Sequence, residues 1–458
     1  MIADRERGGG RNRGRTLLWA GLPRLLSGVL LVLLAQAGCS QLPEPRRSLI
    51  VISMDTLRAD RLGAYGYARS TSPNIDALAA RGARFARAHS PAPWTLPSHA
   101  SIFTGLTPQR HATHSWGDKI PSSVPTLAEL LRGAGWRTFG HTTGGFVSGR
   151  YGFARGFEEY VDELSGFKMT LNAARRKIES LPEGEPYFLF LQTFTVHCPY
   201  PASSAHRATF RRQPESVVIE MASPCTVRPL ESNFSEAQKK LFSDRYDAAI
   251  RSADEKLADF VEFLDRRGEF KDTYLVLLSD HGDEFGEHDG IFHGHTLYEE
   301  LLHVPLIIVG PGVEPSVIEE QVGLVDLMQT ALDLLQVDIE AGEGRSLTRY
   351  LGGDFPSSAP ARAPVAYFAS TEEGTKLRGV SLGDDKLILD LETGQAQLFD
   401  LGTDPGEKRD IAAERPSTRD RLRRVLDRHL ERTDLGEGGG QALSPEQIEE
   451  LEALGYVH

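Results

Sequence analysis

The sequence predicts an α/β fold: a mostly parallel sheet sandwiched by helices, with a small C-terminal antiparallel sheet subdomain. Three observations lead there. Short continuous apolar runs recur, SLIVISM at 48–54, YFLFLQTF at 187–194, TYLVLLS at 273–279 and HVPLIIVG at 303–310, as strands buried on both faces should read. Segments with helical spacing and cap signals separate them. Beyond residue 365 the pattern changes to short strands joined by turns.

Taken in order, the first 24 residues carry Arg5, Arg7, Arg11, Arg13, Arg15 and Arg24, followed by LLSGVLLVLLAQAGCS. A basic stretch before an apolar one reads as an export signal. Cys39 after Ala37-Gly38 resembles the lipid-bearing Cys of bacterial lipoproteins, and residues 17–38 could instead serve as a membrane helix. Residues 1–39 are therefore set apart as a signal, lipoprotein or membrane-anchor segment. The expected location is the cell envelope or periplasm, as a membrane-anchored lipoprotein, with secretion as the alternative.

Residues 48–350 form the expected main domain. SLIVISM ends in Asp55. A helix is expected over 71–82, with Ser72 as cap and Pro73 at its first position. A short strand follows at 83–88, a helix from Pro97, a helix at 125–135 and a strand in WRTFGHT. The stretch 235–267 reads as one long helix, and 322–335 as another. Residues 200–234 lack periodicity and are expected to be an excursion near the active face. The four strands expected in PVAYFAS, TKLRGVSL, DKLILDL and GQAQLFDL, with a helix at 421–432, define a subdomain over 365–435. A tail with a short helix occupies 436–458.

The net charge of −13 argues against a nucleic-acid partner, because an acidic surface repels polyanions. Three Cys (39, 198, 225) make neither a disulfide framework nor a cysteine-only zinc site, though Cys198 and Cys225 could pair. The chemically dense stretch is LLSDHGDEFGEHDGIFHGH at 277–295, with His281, His288, His293 and His295 among Asp280, Asp283, Glu284, Glu287 and Asp289. Carboxylates and imidazoles on a turning backbone suit a hard or borderline divalent ion. Asp280 and His281 would lie at the carboxyl end of a strand, where open α/β sheets bind ligands.

ISMDTLRADRLGAYGY, TSPNIDALAARG, WTLPSHASIFTGL, LLSDHGDEFGEHDG, LYEELLHVPLIIVG, LFDLGTDPGEKRDIA and LSPEQIEELEALGYV occur in that order from about residue 48 to the C-terminus. In these motifs the chain resembles the sulfatase branch of the alkaline phosphatase superfamily. The resemblance implies an alkaline-phosphatase/sulfatase-like sheet and a nucleophile at the start of the T-x-P-S-H box. That residue is Thr95, where sulfatases carry a Cys or Ser oxidised to formylglycine; His99 stands where they have Arg and is expected, as a catalytic residue, to contact the substrate anion or hold Thr95. The resemblance further implies Asp55, Asp280, His281 and Thr95 as ligands of a divalent ion (Zn, Mn, Ca or Mg). Relatives carry a second Asp where this chain has Thr56. They also carry His and Asp where it has Gln192 and Thr195, so one ion is preferred over two. His197 and His293 are expected to contact the transferred group, with His295, Lys119 and His114 as further substrate-contact candidates.

The function expected from this set is metal-dependent hydrolysis of phosphoric mono- or diesters through a Thr nucleophile. Sulfuric ester hydrolysis, phosphoryl or phosphoethanolamine-type transfer, and non-catalytic anion or glycan binding are the alternatives. The partner would be a small-molecule, lipid-headgroup or glycan ester.

Overall fold

The computed structural model describes residues 46–217, 234–353, 355, 365–370 and 376–431, which fall in one compact unit. The expected N-terminal segment, the 436–458 tail and Cys225 lie outside the described residues. Among the described residues no helix is long and apolar enough to cross a membrane.

The main sheet uses β1 (Ser48–Met54), β2 (Ala83–His89), β3 (Arg137–His141), β4 (Glu159–Val161), β5 (Tyr187–Thr193) and β6 (Thr273–Leu278). The short strands β7 (Glu284–Phe285) and β8 (Ile291–Phe292) form a separate hairpin. β9 (His303–Val304), β10 (Leu306–Val309) and β11 (Ser316–Gly323) return to the main sheet. Its order is β11-β2-β10-β6-β1-β5-β3-β4, with β9 beside β2. β1 therefore lies between β5 and β6, parallel to both. All seven residues of β1 are buried. Leu49 and Val51 join one core, while Ile50, Ile52 and Met54 join the core on the opposite face. Burial on both faces is why the run is continuously apolar rather than alternating.

One face is covered by the helices Thr95–Thr104, Leu127–Gly133 and Leu327–Leu334. The other is covered by Pro73–Ala79, Phe167–Ser180 and the 32-residue helix Glu236–Arg267. The long helix starts at Ser235 with a capping box closed by Gln238, and ends on Gly268 in the left-handed conformation. Thr126 and Glu129 close another capping box.

Several expectations are corrected. The HVPLIIVG run splits into β9 and β10, and β10 runs antiparallel to both β6 and β2. Its residues are as apolar as those of a parallel strand because both faces are covered, so composition could not reveal direction. β11, at the sheet edge, is exposed over much of its first half and buried at its end, and was not expected. Nor was the helix Phe167–Ser180, which starts on a glycine without a side-chain cap. The subdomain helix begins at Pro416, five residues before the expected start, because Pro suits the first turn.

Ser72 precedes the helix Pro73–Ala79 but does not cap it; its hydroxyl accepts from Gly63 N and donates to Asp76 Oδ1. The cap comes from the long helix instead. Buried Asp254 accepts the backbone N–H groups of Asn74 (3.0 Å) and Ile75 (2.7 Å).

The C-terminal subdomain is a four-stranded antiparallel sheet, β12 (Val365–Ser370), β13 (Lys376–Leu382), β14 (Asp385–Asp390) and β15 (Ala396–Asp400). Leu422, Val425 and Leu426 of the helix Pro416–Leu430 pack on Val380, Leu387, Leu389 and Leu398. Buried Lys386 reaches Glu299 of the main domain at 2.8 Å and Glu407 at 2.9 Å.

Because Asp254 supplies the cap across two helices, Asp254→Ala should leave two N–H groups unpaired, the buried one of Ile75 and the half-buried one of Asn74. We expect it to lower unfolding stability by about 2 kcal/mol in urea denaturation, whereas Ser72→Ala should cost less.

Candidate metal and nucleophile site

The site is built where β1 and β6 end. Their register pairs Ser53 with Leu278, so Asp55 and Asp280 each follow two residues beyond paired positions and emerge side by side. β5, on the other flank, pairs Gln192 with Ser53. Thr95 opens a ten-residue helix whose residues are all buried, and its hydroxyl lies 3.4 Å from Asp55 Oδ2 and 3.3 Å from His281 Nε2. Thr95 is the first helical residue rather than a cap: the N-cap is Trp94, with no side-chain cap bond. His99, one turn on, contacts Ser53 Oγ through Nε2 (3.0 Å) and places Nδ1 3.0 Å from the Thr95 carbonyl and 3.2 Å from Asp280 Oδ2. It braces the helix Thr95–Thr104 against the sheet.

Asp55, Thr95, Asp280 and His281 are all fully buried. Each carboxylate has one oxygen occupied. Asp55 Oδ2 takes the Gln192 amide at 3.3 Å and faces Thr95; Asp280 Oδ1 takes the Thr56 N–H at 3.3 Å. Of the other oxygens, Asp55 Oδ1 is buried without a hydrogen-bond donor, and Asp280 Oδ2 has His99 Nδ1 beside it at 3.2 Å. His281 donates Nδ1–H to the Gly282 carbonyl (3.0 Å), which turns the lone pair of Nε2 toward Thr95. Ligand atoms of Asp55, Asp280 and His281 lie within 4.8 Å of one another. An orphaned carboxylate oxygen on Asp55 and a second, lightly engaged one on Asp280, beside an imidazole lone pair, are what a divalent ion requires, so the donor set fits one.

The electrostatics agree. Burial and then the neighbouring Asp280 push the Asp55 carboxyl up. Burial also opposes the charge on Asp280, but His281 and His99 beside it outweigh that and hold it well below the usual carboxylate range. Without a cation, then, one carboxylate of the pair ionises at the expense of the other. Burial pulls His281 down to about 4 despite Asp280, which keeps the ring neutral and able to ligate.

Two further imidazoles border this group. His293 lies against His281 (ring centroids 4.5 Å apart) and His197 (5.0 Å). His197 Nδ1 bonds the Cys198 carbonyl at 2.8 Å, and His293 Nδ1 bonds Asp283 Oδ1 at 2.6 Å. Burial lowers His197 to about 4 and His293 to about 3. Asp283 also accepts Tyr200 OH at 2.8 Å, and burial raises it to about 6. Neither Asp283 nor Gln192 was singled out from the sequence as an organising residue. The β7–β8 hairpin pairs Glu284 with Phe292 and so brings 283 opposite 293, but two-residue strands leave no readable pattern.

The remaining candidates lie elsewhere. His295 turns to Glu284 Oε2 (2.9 Å), in a separate cluster with His288 and Glu300. His114 pairs with Asp118 at 3.9 Å, and Lys119 is exposed. Thr195 bonds Thr193 at 2.8 Å and contributes no carboxylate. Cys198 is disulfide-bonded.

A divalent cation should raise the melting temperature of the chelator-stripped protein with a stoichiometry of one. Asp280→Asn should remove most of that rise by deleting an open anionic oxygen, as differential scanning calorimetry with added Mn²⁺ or Zn²⁺ would show.

Comparison with known proteins matches this architecture. Residues 47–337 match the Sulfatase family model. Arylsulfatase K of Xenopus laevis is 25% identical over 405 residues, covering 75% of each chain. The choline-sulfatase of Rhizobium meliloti is 26% identical over 407 residues, covering 74% of this chain and 77% of its own. The crystal structure of the phosphonate monoester hydrolase of Agrobacterium radiobacter superposes with a TM-score of 0.70 at 19% identity, covering 87% of this chain and 100% of that one. With its family match spanning more than half its length, the chain belongs to the sulfatase family of hydrolases.

Proposed function

We propose that this chain is a metal-dependent hydrolase of phosphoric mono- or diesters, with Thr95 as nucleophile. The observation that carries the reading is the Thr95 hydroxyl, fully buried and within 3.4 Å of both Asp55 and His281. A divalent ion held by Asp55, Asp280, His281 and Thr95 would lower the hydroxyl pKa and offset ester charge. The first turn of the nucleophile helix directs N–H groups and the positive end of its dipole toward the same space, favouring an anionic ester.

Thr95 oxygen attacks phosphorus, the bond to the leaving oxygen breaks, the hydroxyl proton ends on that departing oxygen as an alcohol, and a phosphothreonine forms. Water then attacks phosphorus, the bond to Thr95 oxygen breaks, and a proton from that water restores the hydroxyl, releasing phosphate from a monoester or a phosphate monoester from a diester. His197 and His293 flank this space as neutral imidazoles with Nδ1 protons donated backward, so Nε2 is the atom of each suited to accept a proton from the attacking water. The hydroxyl of threonine is secondary. Its oxidation would give a ketone and not the aldehyde used by formylglycine enzymes, which argues for an unmodified nucleophile and against sulfuryl transfer.

Sulfuric ester hydrolysis is the second reading, favoured by relatives named as sulfatases. Substrates of either kind would be small-molecule, lipid-headgroup or glycan esters. The basic and then apolar N-terminus supports an exported protein held at a membrane by lipid on Cys39 or by a helix.

Full-length protein should turn over p-nitrophenyl phosphate or bis-p-nitrophenyl phosphate faster than p-nitrophenyl sulfate. Thr95→Ala should lose at least about 10³-fold in kcat, while Thr95→Ser keeps measurable activity. Sulfate turnover equal to or above phosphate turnover would defeat the phosphoryl reading.

A further inference from the structure

The Asp55 turn and the Asp280–Asp283 segment belong to different strands, yet their ligand atoms must keep one spacing to share an ion. Backbone links join them directly. Thr56, at φ +59 in the left-handed region that β-branched residues rarely enter, donates its N–H to Asp280 Oδ1. Leu57 N–H donates to Ser279 Oγ at 2.8 Å, and that hydroxyl donates to the His281 carbonyl at 2.8 Å. Tyr246 of the long helix closes the turn from the other side, donating to the Thr56 carbonyl (2.6 Å) and accepting from Arg58 N (2.8 Å).

Arg58 completes the connection. Its side chain is only 5% exposed. Nη1 donates to the Asp283 carbonyl and to Glu287 Oε1, each at 2.8 Å. Nε and Nη2 grip Asp60 at 2.8 and 2.7 Å. One planar guanidinium thus spans the turn that carries Asp55, the segment that carries Asp280 and His281, and the hairpin that carries His293. Lysine cannot reproduce that fork.

A second, independent observation is the closeness of the two segments. A Cβ at Gly282 would fall 2.7 Å from Arg58 Cγ and 2.1 Å from the Glu300 carbonyl oxygen. The backbone beside His281 therefore runs directly along the Arg58 stem, and only glycine fits.

We propose that Arg58 is a positioning residue for the ion-binding group, a clamp that fixes the distance between Asp55 and the Asp280–His281 pair. It touches neither ion nor substrate and acts through the two segments it joins. This rests on the assignment of Asp55, Asp280 and His281 as ligands and is independent of the role of Thr95. Removing the fork leaves the three ligands in the chain but frees their spacing, so ion affinity should fall more than fold stability does.

Chelator-stripped full-length protein titrated with Mn²⁺, with free ion read by electron paramagnetic resonance, tests this. Arg58→Met and Arg58→Lys should each bind Mn²⁺ at least tenfold more weakly than wild type, and Gly282→Ala should weaken it too. Glu287→Gln, which keeps an oxygen acceptor for Nη1, should stay within about threefold of wild type. The exposed pair Arg81–Asp265 supplies a control, since Arg81→Met should leave Mn²⁺ binding unchanged. If Arg58→Met fails to fold, Arg58→Lys and Gly282→Ala carry the test. Mn²⁺ affinity within twofold of wild type in the folded variants would overturn the clamp while leaving the ligand assignment standing. A wild-type protein that binds no Mn²⁺ would overturn both.

Discussion

Two carboxylates, Asp55 and Asp280, are buried side by side at the ends of the two central strands, and the structure depends on how that juxtaposition is resolved. Like charges at such range in a low-dielectric interior cannot both ionise unless something positive lies between them. The protein places no Lys or Arg head group on them among the described contacts. It surrounds them with donors that occupy one oxygen of each and leaves the other two oxygens facing a neutral imidazole. That arrangement makes a divalent ion the natural counter-charge, and with it the reason for a threonine hydroxyl at the same point.

The rest of the fold serves this point. β1 lies between β5 and β6, so one strand end meets Gln192 on one side and the Asp280–His281 pair on the other. The helix Thr95–Thr104 is buried along its whole length and tied to the sheet through His99, which fixes Thr95 from behind. The long helix contributes Asp254 to cap one neighbour and Tyr246 to brace the Asp55 turn. The C-terminal sheet joins the segment that follows the histidine-rich loop through the ion pairs of Lys386. Chemistry specific to this chain enters at few positions. Thr95, Gln192 and Thr195 all carry neutral side chains where the resemblance implies a modified residue, an imidazole and a carboxylate.

The sheet and most helices were legible because burial on both faces writes itself as continuous apolar runs, and because capping boxes such as Ser235–Gln238 are local. Strand direction was not legible: β10 runs against its neighbours with the same residues a parallel strand would use. The cap of the helix Pro73–Ala79 was misread because Ser72 has the right chemistry, while the group that performs it, Asp254, lies 180 residues away in sequence. In the site, Asp55, Asp280 and His281 meet at the strand ends beside Thr95, whose helix starts two residues before the expected Pro97. His295 could not be assigned from spacing alone, since its direction depends on a turn that sends His293 toward His281 and His295 toward Glu284. Asp283 and Arg58 sit in stretches the sequence marks as dense or motif-like, but their roles were missed for the same reason: their partners are set by tertiary contact.

X-ray absorption spectroscopy of the Zn²⁺-loaded full-length protein tests the ligand set most directly. The account predicts a first shell of oxygen donors with a single imidazole, with Zn–N and Zn–O distances of about 2.0–2.1 Å. A shell containing two or more imidazoles, or any sulfur, would contradict it.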